Sequence, residues 1–326
     1  MMDDTVACPL CRGGRCVELQ RTAPLDHDEA IVQSGFAVPG DIIRFFGCVH
    51  CGLIFRMPRP SADGLTRYYR DVLPSRDTEI IRRLGVTKEQ AASRTERRFR
   101  EEFRRLQGFI GSRHGHVIDV GGGRGESLVP WLETGWRATL VDLGVEQRGA
   151  VQPTIARRSS LADPTDVVCP PADVVLSYHC LEHALDLQAW LRELHAASKA
   201  DSLWVIEVPV ELPYIRGLLG PKGVIRPQIN AEHLNFFTPQ SLRWAARSVG
   251  LRVLGVVLDV VLYWFGPSVV LRLYANDARR APLDVAEDAF ASERAFRSYL
   301  RWRLIFWRRL GGLKFRAFRH RHREYL

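Results

Sequence analysis

Histidine and carboxylate residues gather at two points of the sequence. One is Tyr178-His179-Cys180-Leu181-Glu182-His183, and the other is Glu232-His233-Leu234-Asn235, just ahead of Thr238-Pro239. An imidazole that is neutral near pH 7 can take a proton from a hydroxyl or a carbon acid, and a neighbouring carboxylate can orient it. Both groups therefore suit general-base chemistry on an acceptor that loses a proton as it reacts. A third group is metal-binding in type: Cys8-x-x-Cys11 and Cys48-x-x-Cys51 have the spacing of a ribbon zinc site, in which four thiolates close a tetrahedral shell. A closed shell has no position open to substrate, so zinc there is structural. The 36 residues between the pairs must loop out.

The fourth constellation is a glycine loop, Asp119-Val-Gly121-Gly-Gly123-Arg-Gly125, between an apolar run and a helical pattern. A turn this tight needs residues without Cβ and lets a ligand lie against the backbone. Seventeen residues beyond Gly125, Asp142 closes the next apolar run, where an acid can accept hydrogen bonds from both ribose hydroxyls of a nucleoside. A dinucleotide reading requires glycine or alanine at position 126. Glu126 stands there instead and repels a pyrophosphate at the helix N-terminus. The loop therefore favours a phosphate-free sulfonium nucleoside such as S-adenosylmethionine over NAD.

These groups must be held by ordered elements, and the patterning names them. From His116 onward, strands at Val117–Val120, Ala138–Val141, Asp173–Ser177 and Leu203–Val208 alternate with helices at about 126–133, 186–198 and 239–249. Thr238 is a good N-cap, with proline in the first helical turn. Such alternation predicts an α/β fold, a Rossmann-like, mostly parallel seven-stranded sheet covered on both faces. The last two strands, Leu251–Leu258 and Val269–Tyr274, lack an intervening helix and should pair antiparallel. Residues 1–72 form a small zinc ribbon with strands at Ile42–Phe46 and Leu53–Phe55. Residues 73–112 form a helical linker, 113–276 the nucleoside-binding domain, and 277–326 a basic amphipathic helical tail.

Taken together, Asp119 to Gly125, Asp142 and Leu181-Glu182-His183 resemble the Rossmann-type S-adenosylmethionine-dependent methyltransferases that act on small molecules. The stretch Cys48 to Tyr69 reads C-x-x-C-G-L-I-F, then Pro58-Arg-Pro60-Ser and Tyr68-Tyr69. It is similar to the N-terminal zinc-binding module of the sugar C-methyltransferases. The resemblance spans about residues 1–275. It implies that Asp119, Gly121 and Gly123 contact the methionine moiety, Asp142 the ribose and Asp163 the adenine, with Ser177 and Tyr178 at the reactive end. His183, with Glu182, would brace the cofactor loop. In those enzymes a Glu-His pair is associated with base chemistry, so His233 is the expected base, held by Glu232, with His179 as the second candidate. Tyr68 and Tyr69 could cover the acceptor or simply pack.

The implied activity is O- or C-methylation of a sugar, glycolipid precursor or similar small hydroxylated acceptor. Two rivals stand beside it: an rRNA or tRNA methyltransferase, and a non-catalytic binding module. Against amino-group methylation of bases, Ser177-Tyr178-His179-Cys180 stands where an Asn/Asp-Pro-Pro-aromatic loop is expected. The 326 residues carry a net charge of +9, yet Phe290–Leu326 holds eleven Lys and Arg against two acids, and the rest balances at 35 of each. Basicity thus belongs to the tail, where Phe296, Leu300, Leu304, Trp307 and Leu310 share one helical face. An anionic membrane surface, the catalytic domain or nucleic acid could each receive it. The start has neither the basic nor the apolar region of a signal peptide. The expected location is cytoplasmic, or peripheral to the inner face of the membrane.

Overall fold

Two sheets carry the chain in a computed structural model that describes residues 6–21, 29–73, 87–144, 156–158, 170–209, 232–263 and 266–277. The first part comprises β1 (Cys16–Arg21), α1 (Glu29–Gln33), β2 (Arg44–Cys48), β3 (Ile54–Met57) and α2 (Ala62–Arg67). The chain then runs from α2 into one wider turn of π type over Tyr68–Val72. The second part contains α3 (Lys88–Ile110), β4 (His116–Val120), a 3₁₀ turn at Glu126–Leu128, α4 (Val129–Glu133), β5 (Arg137–Val141) and β6 (Ala156–Arg158). It continues through β7 (Ala172–Tyr178), α5 (Leu187–Ala196), β8 (Ser198–Pro209), β9 (Asn235–Phe236), α6 (Pro239–Ser248), β10 (Leu251–Tyr263) and β11 (Gly266–Asp277).

The larger sheet has the order β10-β11-β8-β7-β4-β5-β6. Its β6, β5, β4, β7 and β8 pair parallel, whereas β11 runs against both β8 and β10. The fold is α/β and Rossmann-like, and the last two strands form the antiparallel hairpin expected without a helix between them. Every residue of β4 is buried, as suits a strand covered on both faces. Alternating side chains divide the core. Val117, Leu140, Val174 and Val205 meet Phe103, Leu106 and Trp131 of α3 and α4, while Ile118, Val175, Trp204 and Ile206 meet Leu191 of α5 and Leu242 and Ala245 of α6. Thr238 caps α6 with a capping box, and Thr87 does the same for α3.

The N-terminal sheet, β1-β2-β3-β9, is not self-contained. Its fourth strand comes from Asn235–Phe236, pairing with Phe55 and Ile54, so the 1–72 boundary cuts through a sheet. A two-residue strand carries no periodic signal of its own; its partner creates it. The N-terminal cysteines, Phe46 and Phe55 also belong to the same apolar core as Trp204 and Leu242. Asp163 and the basic tail lie outside the described residues. Among those described, no helix is long and apolar enough to cross a membrane.

Candidate functional site

The carboxyl ends of β4, β5 and β7 open onto a cavity of about 430 Å³, within the range of small-molecule pockets. Gly121, Asp142 and Cys180 line one stretch of it, and Tyr69, His183 and Glu232 another. The described wall residues include no Lys or Arg, but they include Asp142, Asp186, Glu193 and Glu232. Asp186 is paired with Arg12 at 2.8 Å, but the other three acids outnumber His179, so the wall attracts a cationic ligand and repels phosphate.

The glycine loop has the tightness its sequence demands. Gly121, Gly123 and Gly125 all have left-handed φ angles, and a Cβ on Gly121 would lie 2.4 Å from the Cys180 sulfur. A Cβ on Gly122 would lie 2.3 Å from an Asp119 carboxylate oxygen. Asp142 accepts from the Gly123 N–H at 2.9 Å and the Gly144 N–H at 2.8 Å, which ties the first turn to the second. Asp119 does not reach the wall. It is 1% exposed and accepts from the Ser127 hydroxyl, so it holds the loop from beneath. Burial, with Asp142 and Glu126 nearby, pushes its carboxyl up to about 7 against the Ser127 hydrogen bond. Ser177 and Tyr178 are also absent from the wall. Ser177 is fully buried, and strand alternation turns Tyr178 to the α3 face, where it packs on Phe99 at 5.2 Å between ring centroids.

The histidines and acids are brought together, but not in the order read from the sequence. His233 is only 6% exposed and is not part of the cavity wall; its ring packs edge-on against His183, 4.6 Å between centroids. The cause is a pairing with a distant segment: the Leu234 N–H donates to the Glu182 carbonyl at 2.9 Å, and the Asn235 amide donates to the Ala184 carbonyl at 2.7 Å. Glu232 does face the cavity, but a hydroxyl, that of Tyr68, donates to its carboxylate. Tyr69 reaches His183 instead, its hydroxyl 2.5 Å from Nδ1, while the Glu232 carbonyl stands 3.1 Å from the same nitrogen. Burial lowers the pKa of His183 to about 4, against the pull of Glu182.

His179 lines the cavity and sits at a left-handed φ of 54°, which costs a non-glycine residue on the order of 1 kcal/mol. Its Nδ1 is 3.4 Å from Glu182 and its Nε2 is 3.4 Å from Glu207. Burial would depress its pKa, but the two carboxylates outweigh it and lift the value to about 9. His179 is therefore an imidazolium at neutral pH, not a base in waiting. Glu207 also pairs with Arg98 and Arg272, and the His179 hydrogen bond, followed by these two cations, holds its carboxyl well below the usual range despite burial. Sequence reading missed Glu207; the available signal was an acid inside the apolar run Leu203–Val208.

The four cysteines converge as their spacing predicts. Cys8 and Cys51 sulfurs are 3.6 Å apart and those of Cys11 and Cys48 are 3.5 Å apart, against about 3.8 Å for the corners of a zinc–thiolate tetrahedron. The two pairs are built alike. The Arg12 N–H donates to the Cys8 carbonyl and the Gly52 N–H to the Cys48 carbonyl, at 2.9 and 3.0 Å, with Arg12 and Gly52 both left-handed. The Gly13 N–H also points to the Cys11 sulfur at 3.4 Å. Hydrogen bonding, led by Cys11, pushes the Cys48 thiol far down and the Cys8 thiol far up, a conflict that a divalent cation would resolve by taking all four as thiolates.

A family model described as a methyltransferase domain matches residues 91–256. No curated protein sequence matches the chain. Similar solved structures include 1,6-didemethyltoxoflavin-N1-methyltransferase of Burkholderia thailandensis, 21% identical, with 64% of this chain and 84% of that one covered at a TM-score of 0.42. Magnesium protoporphyrin IX methyltransferase of Synechocystis PCC 6803 is 15% identical, with 64% and 97% covered and a TM-score of 0.43. An S-adenosylmethionine-dependent methyltransferase of Archaeoglobus fulgidus is 18% identical, with 61% and 99% covered and a TM-score of 0.41.

Proposed function

The chain belongs to the methyltransferase domain family and is an S-adenosylmethionine-dependent methyltransferase, and on that premise we propose that it methylates an oxygen or carbon of a small hydroxylated acceptor such as a sugar. One observation carries the reading: a single cavity joins Gly121 and Asp142 to Tyr69, His183 and Glu232, with an acidic wall free of Lys and Arg among the described residues. S-adenosylmethionine is a sulfonium that also bears an ammonium, so this wall fits it, and the methyl it supplies is already activated. Asp142 would accept from the ribose hydroxyls, Gly121 and Gly123 would let the cofactor lie against the backbone, and Asp119 would keep the loop in shape.

At the other end, an aromatic ring, an imidazole and a carboxylate suit an uncharged acceptor with several hydroxyls. Tyr69 and His183 would orient it and exclude water, and Glu232 would take the proton that leaves. This assignment replaces His233, which stands behind His183. The four cysteines would hold a structural zinc.

Asp142→Ala should weaken S-adenosylmethionine binding by about 2–3 kcal/mol, the value of two lost ribose hydrogen bonds. Calorimetry with S-adenosylhomocysteine measures it, and Asp142→Asn separates charge from loop support. Unchanged affinity in both variants would remove Asp142 from the site.

A further inference from the structure

We infer that Glu182, His183 and His233 form a second metal site, for a first-row divalent cation, beneath the cavity floor. Glu182 is 1% exposed, and neither carboxylate oxygen accepts a hydrogen bond within the protein. The His179 imidazolium at 3.4 Å offsets part of its charge, but two buried oxygens without a hydrogen bond are costly unless something binds them. Histidine nitrogens surround it without closing on it: Nδ1 of His179 is 3.4 Å from Oε1 and Nε2 of His183 is 3.7 Å away. Donors that share a cation at about 2.1 Å are about 3.0–3.4 Å apart, so small side-chain rotations suffice. One donor atom each from Glu182, His183 and His233 already lies within 4.8 Å of the others.

The partners of His183 fit as well. The Glu232 carbonyl, 3.1 Å from Nδ1 of His183, is placed to accept an Nδ1–H, the usual brace of a metal-binding histidine, and Nε2 is the nitrogen on the Glu182 side. Two imidazoles and one carboxylate suit a transition-series ion rather than calcium or magnesium. Three protein donors leave room for water or an acceptor oxygen, and His183 forms part of the cavity wall. Resting on the methyl-transfer reading, the ion would draw an acceptor hydroxyl toward Glu232 and make it more acidic.

Full-length protein dialysed against a mild chelator, with the tetrathiolate zinc retained, should be titrated with cobalt(II) alone. One equivalent should bind and give weak visible bands without the strong near-ultraviolet thiolate absorption. Glu182→Gln and His233→Ala should bind it at least about 100-fold more weakly. Wild-type protein that gives no such bands, or bands with thiolate absorption only, would overturn the site, as would both variants binding like wild type. Calorimetry with S-adenosylhomocysteine on the same samples reads the methyltransferase assignment separately and shows that the variants are folded.

Discussion

Cys48→Ser should lose zinc and lower stability by on the order of 5 kcal/mol, a part of the roughly 10–16 kcal/mol that a structural zinc contributes. The damage should not stop at the N-terminal sheet. The Thr238 hydroxyl, which caps α6, donates to the Gly52 carbonyl at 3.1 Å, one residue past Cys51. The Gln188 amide of α5 donates to the Leu10 carbonyl inside the first cysteine pair. Arg59 bonds the Ala184 and Leu185 carbonyls at 2.7 and 2.9 Å and the Asn235 side chain at 3.1 Å. Loss of zinc therefore loosens the ends of two helices and the loop that carries His183. Hydrogen exchange should show residues 29–73 and 232–238 opening together, with β4 and β5 still protected. Elemental analysis that finds no zinc in protein purified without chelator would end this account. Exchange confined to residues before Met57 would show that the two parts are independent after all.

That coupling marks the boundary of what the sequence discloses. The glycine loop, Asp142, the Thr238 cap and both cysteine pairs are local features, each with a physical reason to sit at its spacing, and the structure has them where expected. The π-type turn after α2, the two-residue β9 and the burial of His233 are not local. β9 follows from its pairing with β3, and the burial of His233 from the Leu234 and Asn235 bonds to Glu182 and Ala184, some 50 residues away; no spacing rule reports such bonds. Strand alternation says that Ser177 and Tyr178 face opposite ways, but not which of them meets the cavity; neither does. Glu207 was visible only as an anomaly, an acid where the pattern asks for an apolar residue. Its explanation, a buried pair with Arg272 and a contact with His179, needs strand β11 and the turn after β7 in place.

Glu232→Gln should lower turnover about 10²–10⁴-fold while leaving cofactor affinity within a factor of a few. The amide keeps the shape and can still accept from the Tyr68 hydroxyl, but it cannot take a proton. Among the described wall residues it is the acid in the group of Tyr69 and His183. The histidines are less suited to the task. His179 is held as an imidazolium by Glu182 and Glu207, and a base must begin without the proton. His183 is neutral, but burial drives its pKa to about 4, and its Nδ1 is committed to Tyr69 and the Glu232 carbonyl. A carboxylate is itself a weak base toward an ordinary hydroxyl. It suffices when proton loss follows carbon–oxygen bond formation, because the oxygen becomes acidic as it takes the methyl. Tyr68→Phe provides the comparison: it removes one hydrogen bond from Glu232 and should cost only about 10-fold, mainly in kcat. Rates would be followed as S-adenosylhomocysteine released with a panel of sugar acceptors. Near-normal turnover in Glu232→Gln beside a large loss in His183→Asn would transfer the proton to His183, and the Tyr69–His183 pair would then be the reactive one.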